Sequence, residues 1–347
     1  MSDRVLLADI GGTNARFALM DGGEVGSVDH MKVADFSDAT GAMATFLTRH
    51  AAAERPGAAV LAVAGPVQNN RCTITNSPWV IDGAVVQKKF GFRMVRLLND
   101  FEAVAWSLPA LQPDGLYPVG EQRGISGAPM LAVGPGTGFG AACLFLHNTA
   151  PFAVVTEAGH ATVPPTSDRE ERIIGHLRRR LGHVSIERVL SGHGLENLYS
   201  ALAGVDGVTA PERDAAEITR AALDGSCSIS SAALDMFCSL LGTVAGNLAL
   251  TFCAQGGVYI AGGIVPRFAD RLAGSAFRKQ FQSKGRYESY LQDIPTKSLS
   301  NPTPASSGLR HSSTIRWRPP TCRGREDAHD SYCHDHAQSI GRLVDLS

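Results

Sequence analysis

The sequence predicts an α/β protein built from two related domains. Runs typical of strands alternate with runs typical of helices along most of the chain, which favours a sheet covered by helices. The length of 347 residues exceeds the usual size of one domain. A short segment near the N-terminus also recurs, with an offset of 124 residues, near the middle of the chain.

The elements follow from short apolar runs and from helical periodicity between turn residues. The predicted strands are residues 4–9, 15–20, 59–64, 94–98, 129–133, 140–146, 153–155 and 257–261. The predicted helices are residues 38–53, 82–90, 100–108, 168–181, 185–190, 194–203, 212–224, 230–253 and 266–274. The helix from residue 168 has the clearest bounds, because Ser167 and Glu170 form a capping-box pattern and Gly182 follows its end.

The repeat places an apolar strand, a Gly-Thr turn and a second apolar strand in each half of the chain. Residues 7–13 align with residues 131–137, and Leu, Ala, Gly and Thr recur in place. A match of this length also arises by chance. If it is real, each domain offers one glycine loop to a common ligand.

Composition excludes several classes of protein. Hydrophobic residues make up 44% and charged residues 19%, which is ordinary for a globular protein and excludes wholesale disorder. The net charge of -1 gives no field for nucleic acid or an anionic membrane. Seven scattered cysteines without a CxxC pair, behind an N-terminus unlike a signal peptide, predict reduced thiols and a cytoplasmic location.

One uncharged stretch, residues 236–266, is long enough to cross a membrane. Polar residues and paired glycines interrupt it, so we interpret it as a buried helix, a glycine turn and a buried strand.

Two glycine loops follow predicted strands, at residues 9–14 and 134–140. Glycines let backbone N–H groups approach phosphate oxygens, whereas a tight hairpin turn is the structural alternative. Neither loop matches a Walker A or Rossmann fingerprint. A third glycine pair follows a strand at Gly262 and Gly263. Three such turns favour a nucleotide site, in which Asp9 would orient hydrated Mg²⁺.

Several polar residues are candidates for chemistry, each with a structural alternative. Asn99 and Asp100 follow a strand, where they either cap a helix or place a general base at the sheet edge. Glu157 and His160 lack the spacing and third ligand of a zinc site. Glu187 is predicted in the first turn of a helix, where the macrodipole alone would favour a carboxylate.

Taken together, these segments resemble the bacterial glucokinase family of the hexokinase and actin-like ATPase superfamily, outside its ROK group. The matching segments keep the family order within roughly residues 4 to 295. They are residues 9–16, 64–66, 75–79, 98–101, 134–140, 157–160, 182–192 and 257–266.

The resemblance implies two ribonuclease-H-like domains, actin-like ATPase domains, with the active site in the interdomain cleft. A small α/β domain would span residues 1–109 and a large one residues 110–297. The implied activity is ATP-dependent, Mg²⁺-dependent phosphorylation of D-glucose at its 6-hydroxyl, the first step of glycolysis. The implied protein is a cytoplasmic homodimer without nucleic-acid or membrane partners.

The resemblance also implies roles for single residues, with Asp100 as the catalytic base. The implied sugar ligands are Asn76, Asn99, Asp100, Glu157, His160 and Glu187. The implied ATP-binding residues are Ala8, Asp9, Ile10, Gly11, Gly12 and Thr13 in a first phosphate loop, Gly136, Thr137 and Gly138 in a second, and Gly262 and Gly263 at the adenosine. The ROK kinases carry a Cys-rich zinc motif after the sugar-binding Glu-x-Gly-His; residues 161–192 contain no Cys, so no such metal is expected.

The last fifty residues depart from the family. From residue 298 onward all six basic side chains are Arg, and four of the eleven His lie there. Serines stand where the family has apolar residues, and no family helix follows Leu309. We interpret residues 298–347 as an atypical tail, produced by an altered reading frame, a degenerate terminus or a sequence error, whose family counterpart returns to the small domain.

Three alternatives to a glucokinase stay open on the sequence. One is a kinase for fructose or mannose. Another is a catalytically impaired sugar-binding protein, which the altered tail would permit. The third is a sugar-responsive regulator, but such regulators usually carry an N-terminal helix-turn-helix, and this chain begins directly with a strand.

Overall fold

A computed structural model describes residues 4–51, 54–120, 122–146 and 151–299. They form two compact units, one reaching Leu111 and the other beginning at Gln112. The atypical tail lies outside the described residues from residue 300 onward. The domain bounds expected from the family stay a prediction.

The first unit contains a six-stranded sheet, a two-stranded sheet and helices. Its strands are β1 (Val5–Ile10), β2 (Asn14–Asp21), β3 (Glu24–Val25), β4 (Asp29–Lys32), β5 (Ala58–Val63), β6 (Arg71–Thr73), β7 (Val80–Asp82) and β8 (Met94–Asn99). Its α-helices are α1 (Ala39–His50), α2 (Gly83–Phe90) and α3 (Asp100–Ser107). The main sheet has the order β3-β2-β1-β5-β8, with β4 paired to β2, while β6 and β7 pair separately.

The second unit has its own sheet, in the order β12-β11-β10-β13-β14-β9. Its strands are β9 (Leu116–Pro118), β10 (Met130–Pro135), β11 (Phe139–Phe145), β12 (Phe152–Thr156), β13 (Gly257–Ile260) and β14 (Thr296–Leu299). Its α-helices are α4 (Asp168–Leu181), α5 (Gly192–Asp206), α6 (Ala215–Leu223), α7 (Ser228–Phe252), α8 (Ala269–Ala273), α9 (Phe277–Gln282) and α10 (Glu288–Gln292).

The two units share one arrangement, which is the structural counterpart of the sequence repeat. In the first, β1 pairs antiparallel with β2 and parallel with β5. In the second, β10 pairs antiparallel with β11 and parallel with β13. In both, a glycine loop joins the antiparallel pair, and the central strand is buried along its whole length. Each loop therefore lies at the edge where the parallel strands end.

Helix α7 is the one described helix that is long and apolar enough to cross a membrane. Within its most apolar 18-residue stretch, 72% is buried inside the structure. It packs against α5, α6 and α9 in the core of the second unit. The interpretation of this stretch as a buried helix is therefore confirmed, and it matches the core helix of a soluble protein.

The predicted helix over residues 185–190 is wrong. That segment is a bridge followed by turns, and it lies between α4 and α5. The N–H groups of Ile186 and Glu187 donate to the carbonyls of Ala161 and Gly159, at 2.9 Å each. Tertiary pairing thus takes the donors at the start of the segment.

Strand β14 extends to Leu299 and so includes the first two residues of the segment that composition set apart. Ser298 is fully buried between β13 and β9. A serine at this position is accommodated because its hydroxyl donates to the carbonyl of Leu299 at 3.3 Å.

Candidate active site

The carboxyl ends of three parallel strands bring the candidate residues of the first unit to one edge of its sheet. Ile10 in β1 lies level with Val63 in β5, and Val63 lies level with Asn99 in β8. The first glycine loop begins directly after Ile10, and Asp100 begins α3 directly after Asn99. The sheet register therefore places the proposed phosphate loop and the proposed base at the same edge.

The first glycine loop is a tight connection between β1 and β2. The N–H of Gly11 donates to the carbonyl of Asn14 at 2.9 Å. A Cβ at Gly12 would lie 2.7 Å from the carbonyl oxygen of Thr75, so only glycine fits there. At Gly11 the nearest atom would be 3.5 Å away, which is an ordinary contact. Gly12 thus allows the loop to pack against the turn that contains Asn76.

Asn76 lies in that β6–β7 turn with φ of 60°, in the left-handed region that asparagine tolerates better than most residues. Its carbonyl oxygen would be 3.3 Å from a Cβ at Gly12. Asn76 is therefore a close neighbour of the first phosphate loop, although the sequence separates the two by more than sixty residues.

Asn99 is both a helix cap and a candidate ligand. Its Oδ1 accepts the N–H groups of Phe101 and Glu102, at 3.0 and 3.3 Å, and its Nδ2 donates to the carbonyl of Gly65 at 3.1 Å. The amide has a second N–H, which is a donor for a ligand hydroxyl. The capping and binding interpretations of Asn99 are thus compatible.

Asp100 is the first residue of α3, and its carboxylate is perturbed. Burial and the charge of Asp9 raise the pKa of the Asp100 carboxyl from an ordinary 3.8 to about 6. The N–H of Phe101, which donates to Oδ1 at 2.9 Å, opposes the rise only in part. A carboxylate with a pKa near 6 is ionised at neutral pH yet basic enough to accept a proton.

Asp9 is buried at the end of β1 and is paired with Arg16. The two residues face each other across the β1–β2 register, and Arg16 Nη1 lies 2.5 Å from Asp9 Oδ2. Burial raises the pKa of the Asp9 carboxyl, whereas Arg16 lowers it. Arg16 is thus the countercharge that favours ionised Asp9.

Sequence reasoning assigned no role to Arg16. The signal that finds it is the hairpin register: a turn centred on Gly12 and Thr13 makes residues 9 and 16 cross-strand partners. The Nε of Arg16 is buried and has no hydrogen-bond partner among the described residues.

The second glycine loop joins β10 and β11 in the other unit. The N–H of Gly136 donates to the carbonyl of Gly138 at 2.8 Å, which closes the turn around Thr137. Gly262 follows β13 with φ of 90°, and a Cβ there would lie 2.5 Å from the carbonyl oxygen of Pro135. The second loop and Gly262 are thus in backbone contact, while Gly263 faces open space.

Glu157 precedes a 3-10 turn, Ala158–His160, that follows β12, and His160 ends it. Both side chains are about two-thirds exposed, and His160 Nε2 lies 3.8 Å from Glu157 Oε2. Gly159 between them is buried, and any Cβ there would collide with the carbonyl of Phe139. The turn therefore presents two polar side chains while its glycine packs on the start of β11.

Glu187 contacts both of these features. Its N–H donates to the carbonyl of Gly159 at 2.9 Å, and its Oε2 accepts the N–H of Phe139 at 3.0 Å. A side chain at Gly138 would collide with the same carboxylate oxygen. Glu187 therefore does not lie at a helix N-terminus, as the sequence predicted. Hydrogen bonds to neighbouring loops hold it in place, and a helix macrodipole does not.

A shallow cavity of about 490 Å³ in the second unit escaped the sequence reasoning. Its lining residues are Ala216, Thr219, Arg220, Leu223, Asp224 and Arg267. Most of them lie on α6, and Arg267 follows the Gly262–Gly263 turn by a few residues. The N–H of Gly192 donates to the carbonyl of Gly136. A Cβ added at Gly192 would lie 3.9 Å from Ala215, the first residue of α6. The sequence of α6 contains no binding motif, because its polar residues have the pattern of an ordinary solvent-exposed helix face.

Comparison with known proteins gives a consistent family. A model of the glucokinase family matches residues 6–314. A glucokinase of Paramagnetospirillum magneticum is 44% identical over 312 residues, which are 89% of this chain and 97% of that protein.

Two solved structures illustrate the shared fold. A glucokinase from an Antarctic psychrotroph is 36% identical and has a TM-score of 0.79. The match covers 86% of this chain and 95% of that one. A ROK family glucokinase from Streptomyces griseus, solved with glucose and AMPPNP, is 18% identical with a TM-score of 0.56, over 86% of this chain and 95% of that one. The latter supports the fold alone. Such neighbours have the two-domain actin-like ATPase fold, as the sequence resemblance implied. This chain therefore belongs to the glucokinase family.

Proposed function

We propose that this protein transfers the γ-phosphoryl group of ATP to the 6-hydroxyl of D-glucose. The observation that carries the proposal is the shared sheet edge of the first unit, where Asp100 and the first glycine loop follow neighbouring strands. Family membership supports the same activity, because the relatives that match over most of their length are glucokinases. Phosphoryl transfer needs positioning and charge stabilisation, and glycine loops with one carboxylate base supply both.

Asp100 accepts the proton of the 6-hydroxyl as the oxygen of that hydroxyl attacks the γ-phosphorus of ATP. Its raised pKa supports this role, since a base with an ordinary pKa of 3.8 would accept a proton much less readily. The hydrogen bond from the Phe101 N–H fixes the orientation of the carboxylate and leaves Oδ2 for the hydroxyl.

The other sugar hydroxyls bond to side chains that offer directional donors and acceptors. The proposed set is Asn76, Asn99, Glu157, His160 and Glu187. Carboxylates accept from hydroxyls, whereas the amides and the imidazole also donate. A site built on such bonds rejects analogues that lack a hydroxyl by roughly 10⁴-fold.

The two glycine loops hold the phosphates with backbone N–H groups. Residues 8–10 at the end of β1 and residues 11–13 in the turn after it form the first phosphate-binding segment, residues 136–138 form the second, and Gly262 and Gly263 approach the adenosine. The cavity on α6 is a suitable place for the nucleoside, because Arg220 and Arg267 border it and α6 begins next to Gly192, whose N–H donates to Gly136.

Asp9 suits a Mg²⁺ ion that accompanies ATP. Its carboxylate is buried, and Arg16 occupies only Oδ2, so Oδ1 is available to a water of the metal's hydration shell. The ion would supply charge neutralisation between the phosphates. Arg16 lowers the pKa of the Asp9 carboxyl against the effect of burial, which favours the ionised form.

We further propose a cytoplasmic homodimer. The buried position of α7 supports a soluble protein. Size-exclusion chromatography coupled to light scattering tests the dimer, and a molar mass equal to that of one chain would contradict it.

A coupled assay with ATP tests the function, using glucose, fructose, mannose and N-acetylglucosamine as acceptors. Glucose should give the highest kcat/KM, and 6-deoxyglucose should inhibit competitively without being phosphorylated. Equal rates with fructose or mannose would contradict glucose specificity. Failure to phosphorylate any hexose, in a protein that binds glucose, would contradict the kinase activity itself.

A further inference from the structure

We infer that Glu187 is a positioning residue that couples sugar binding to nucleotide binding through the second phosphate loop. The inference rests on the proposed function, because it assigns a second task to a residue of the proposed sugar site. Its physical basis lies entirely within the second unit.

Phe139 is the junction between the two loops. Its N–H donates to Glu187 Oε2 at 3.0 Å, and its carbonyl is covered by Gly159 of the 157–160 turn. The same carboxylate oxygen lies against Gly138, where only the absence of a side chain leaves room for it. The Glu187 carboxylate thus accepts the backbone N–H of the residue that immediately follows the phosphate loop.

This arrangement makes the carboxylate a competitor of phosphate. A phosphate group in the loop seeks backbone N–H donors, and the Gly136 N–H already closes the turn at Gly138. The Phe139 N–H is engaged by a group of the same charge sign as phosphate. Without sugar, therefore, Glu187 disfavours an anion beside Gly138 by occupying a donor and by like-charge repulsion.

Sugar binding relieves the competition. The main chain of Glu187 is fixed by its N–H bond to Gly159 and by the Ser191 hydroxyl, which donates to its carbonyl at 2.8 Å. Only the side chain is then free to change partner. When its carboxylate accepts a sugar hydroxyl instead, the Phe139 N–H becomes available to phosphate. Because binding linkage is reciprocal, nucleotide must also strengthen sugar binding by the same factor.

Calorimetry of the full-length protein with AMPPNP, with and without saturating glucose, measures the coupling. For the wild type we expect glucose to lower the Kd of AMPPNP on the order of tenfold. In Glu187→Gln the amide keeps the shape but loses the charge, so sugar-free AMPPNP should bind severalfold more tightly than to the wild type. The glucose effect should then shrink to about twofold or less.

Glu157→Gln is the matched control, since Glu157 is an exposed carboxylate of the proposed sugar site that pairs with His160. It should weaken glucose binding yet keep the wild-type coupling once glucose is saturating. A Glu187→Gln protein with wild-type coupling, or with unchanged or weaker sugar-free AMPPNP affinity, would overturn the inference. Loss of coupling in Glu157→Gln to the same extent would overturn it as well.

Selective ¹⁵N-phenylalanine labelling supplies a readout that does not depend on affinity. The 14 phenylalanines give a tractable spectrum, in which glucose should shift the Phe139 amide more in the wild type than in Glu187→Gln, whose neutral amide is a weaker acceptor for that N–H. A shift of equal size in both proteins would contradict the exchange of partners. A wild type that binds AMPPNP and glucose without phosphorylation would instead contradict the proposed function.

Discussion

Replacing Asp100 with Asn should lower activity strongly and stabilise the protein at neutral pH. Stabilisation is expected because an ionised carboxylate that is half-buried and close to Asp9 is costly. An amide has a similar shape, keeps an acceptor for the Phe101 N–H and has no charge to desolvate. It cannot accept the proton of a sugar hydroxyl, so kcat should fall about 10²- to 10⁴-fold.

The magnitude of the stabilisation follows from the pKa. The difference between an ordinary 3.8 and a value of about 6 corresponds to roughly 3 kcal/mol when the group is fully ionised. Solvent at the half-exposed carboxylate screens part of this, so about 1–2 kcal/mol is the expected gain. In a chain of this size that raises Tm by about 2–3 °C.

The gain depends on pH in a definite direction. Below pH 3.8 the Asp100 carboxyl is protonated in both the folded and the unfolded chain, and the variant has no advantage. As pH rises toward 6, the unfolded carboxyl ionises freely while the folded one resists, so the wild type loses stability. Above about pH 7 the difference is constant. The wild-type kcat/KM should fall on the acid side with an apparent pKa near 6.

The assay combines thermal melts between pH 4 and pH 8 with coupled kinetics over the pH range in which the chain is folded. Asp35→Asn, at an exposed position of the same unit, is the control and should change neither Tm nor kcat appreciably. A Tm of Asp100→Asn at pH 8 below that of the wild type would refute the desolvation reasoning. A wild-type rate in Asp100→Asn would refute its role as the base.

Three further outcomes follow from single contacts. Gly12→Ala, whose Cβ would lie 2.7 Å from a carbonyl of the β6–β7 turn, should cost about 1–3 kcal/mol in a denaturant melt, whereas Gly11→Ala should cost much less. Arg16→Met leaves the buried carboxylate of β1 without its countercharge, so the KM for Mg²⁺ should rise about tenfold with little change in the KM for glucose. Arg278→Ala removes a guanidinium donor from three main-chain carbonyls before β14 and should cost about 2–4 kcal/mol, unlike exposed Arg286→Ala; equal melts would contradict this.

Elements with strong local signals were predictable from sequence. Helix α4 has the predicted bounds at both ends, because the Ser167 side chain accepts the Glu170 N–H and Gly182 follows with a positive φ. The capping box itself is different from the pattern: Glu170 accepts from Thr166 and from Ser239 instead of closing on Ser167. The local pattern thus predicts where the helix starts, whereas packing decides what the buried carboxylate contacts.

Short elements were not predictable, for a related reason. The strands β3, β6, β7 and β9 have two or three residues each, and α9 and α10 have six and five. Such segments have too few residues to show a period, and isolated helices of this length are unstable. Their conformation is provided by partners, as when β9 pairs with β14 at the sheet edge.

The candidate site divides along the same line between local and tertiary information. Glycine after a strand and Asp at the next strand's end are local signals, and both proposed loops were found from them. The energetics of Asp100 are tertiary, because burial raises its pKa most and the charge of Asp9 reaches it only through the order β1-β5-β8 and the level register of these strands. Sequence inspection names the carboxylate but gives no reason for its raised pKa.

Glu187 shows the same division more clearly. Its predicted helix would have turned it into a surface dipole partner, whereas hydrogen bonds to Gly159 and Phe139 join it to two loops. A residue whose function is to connect segments has no signal of its own, so it becomes visible only when the contacts on both sides are known.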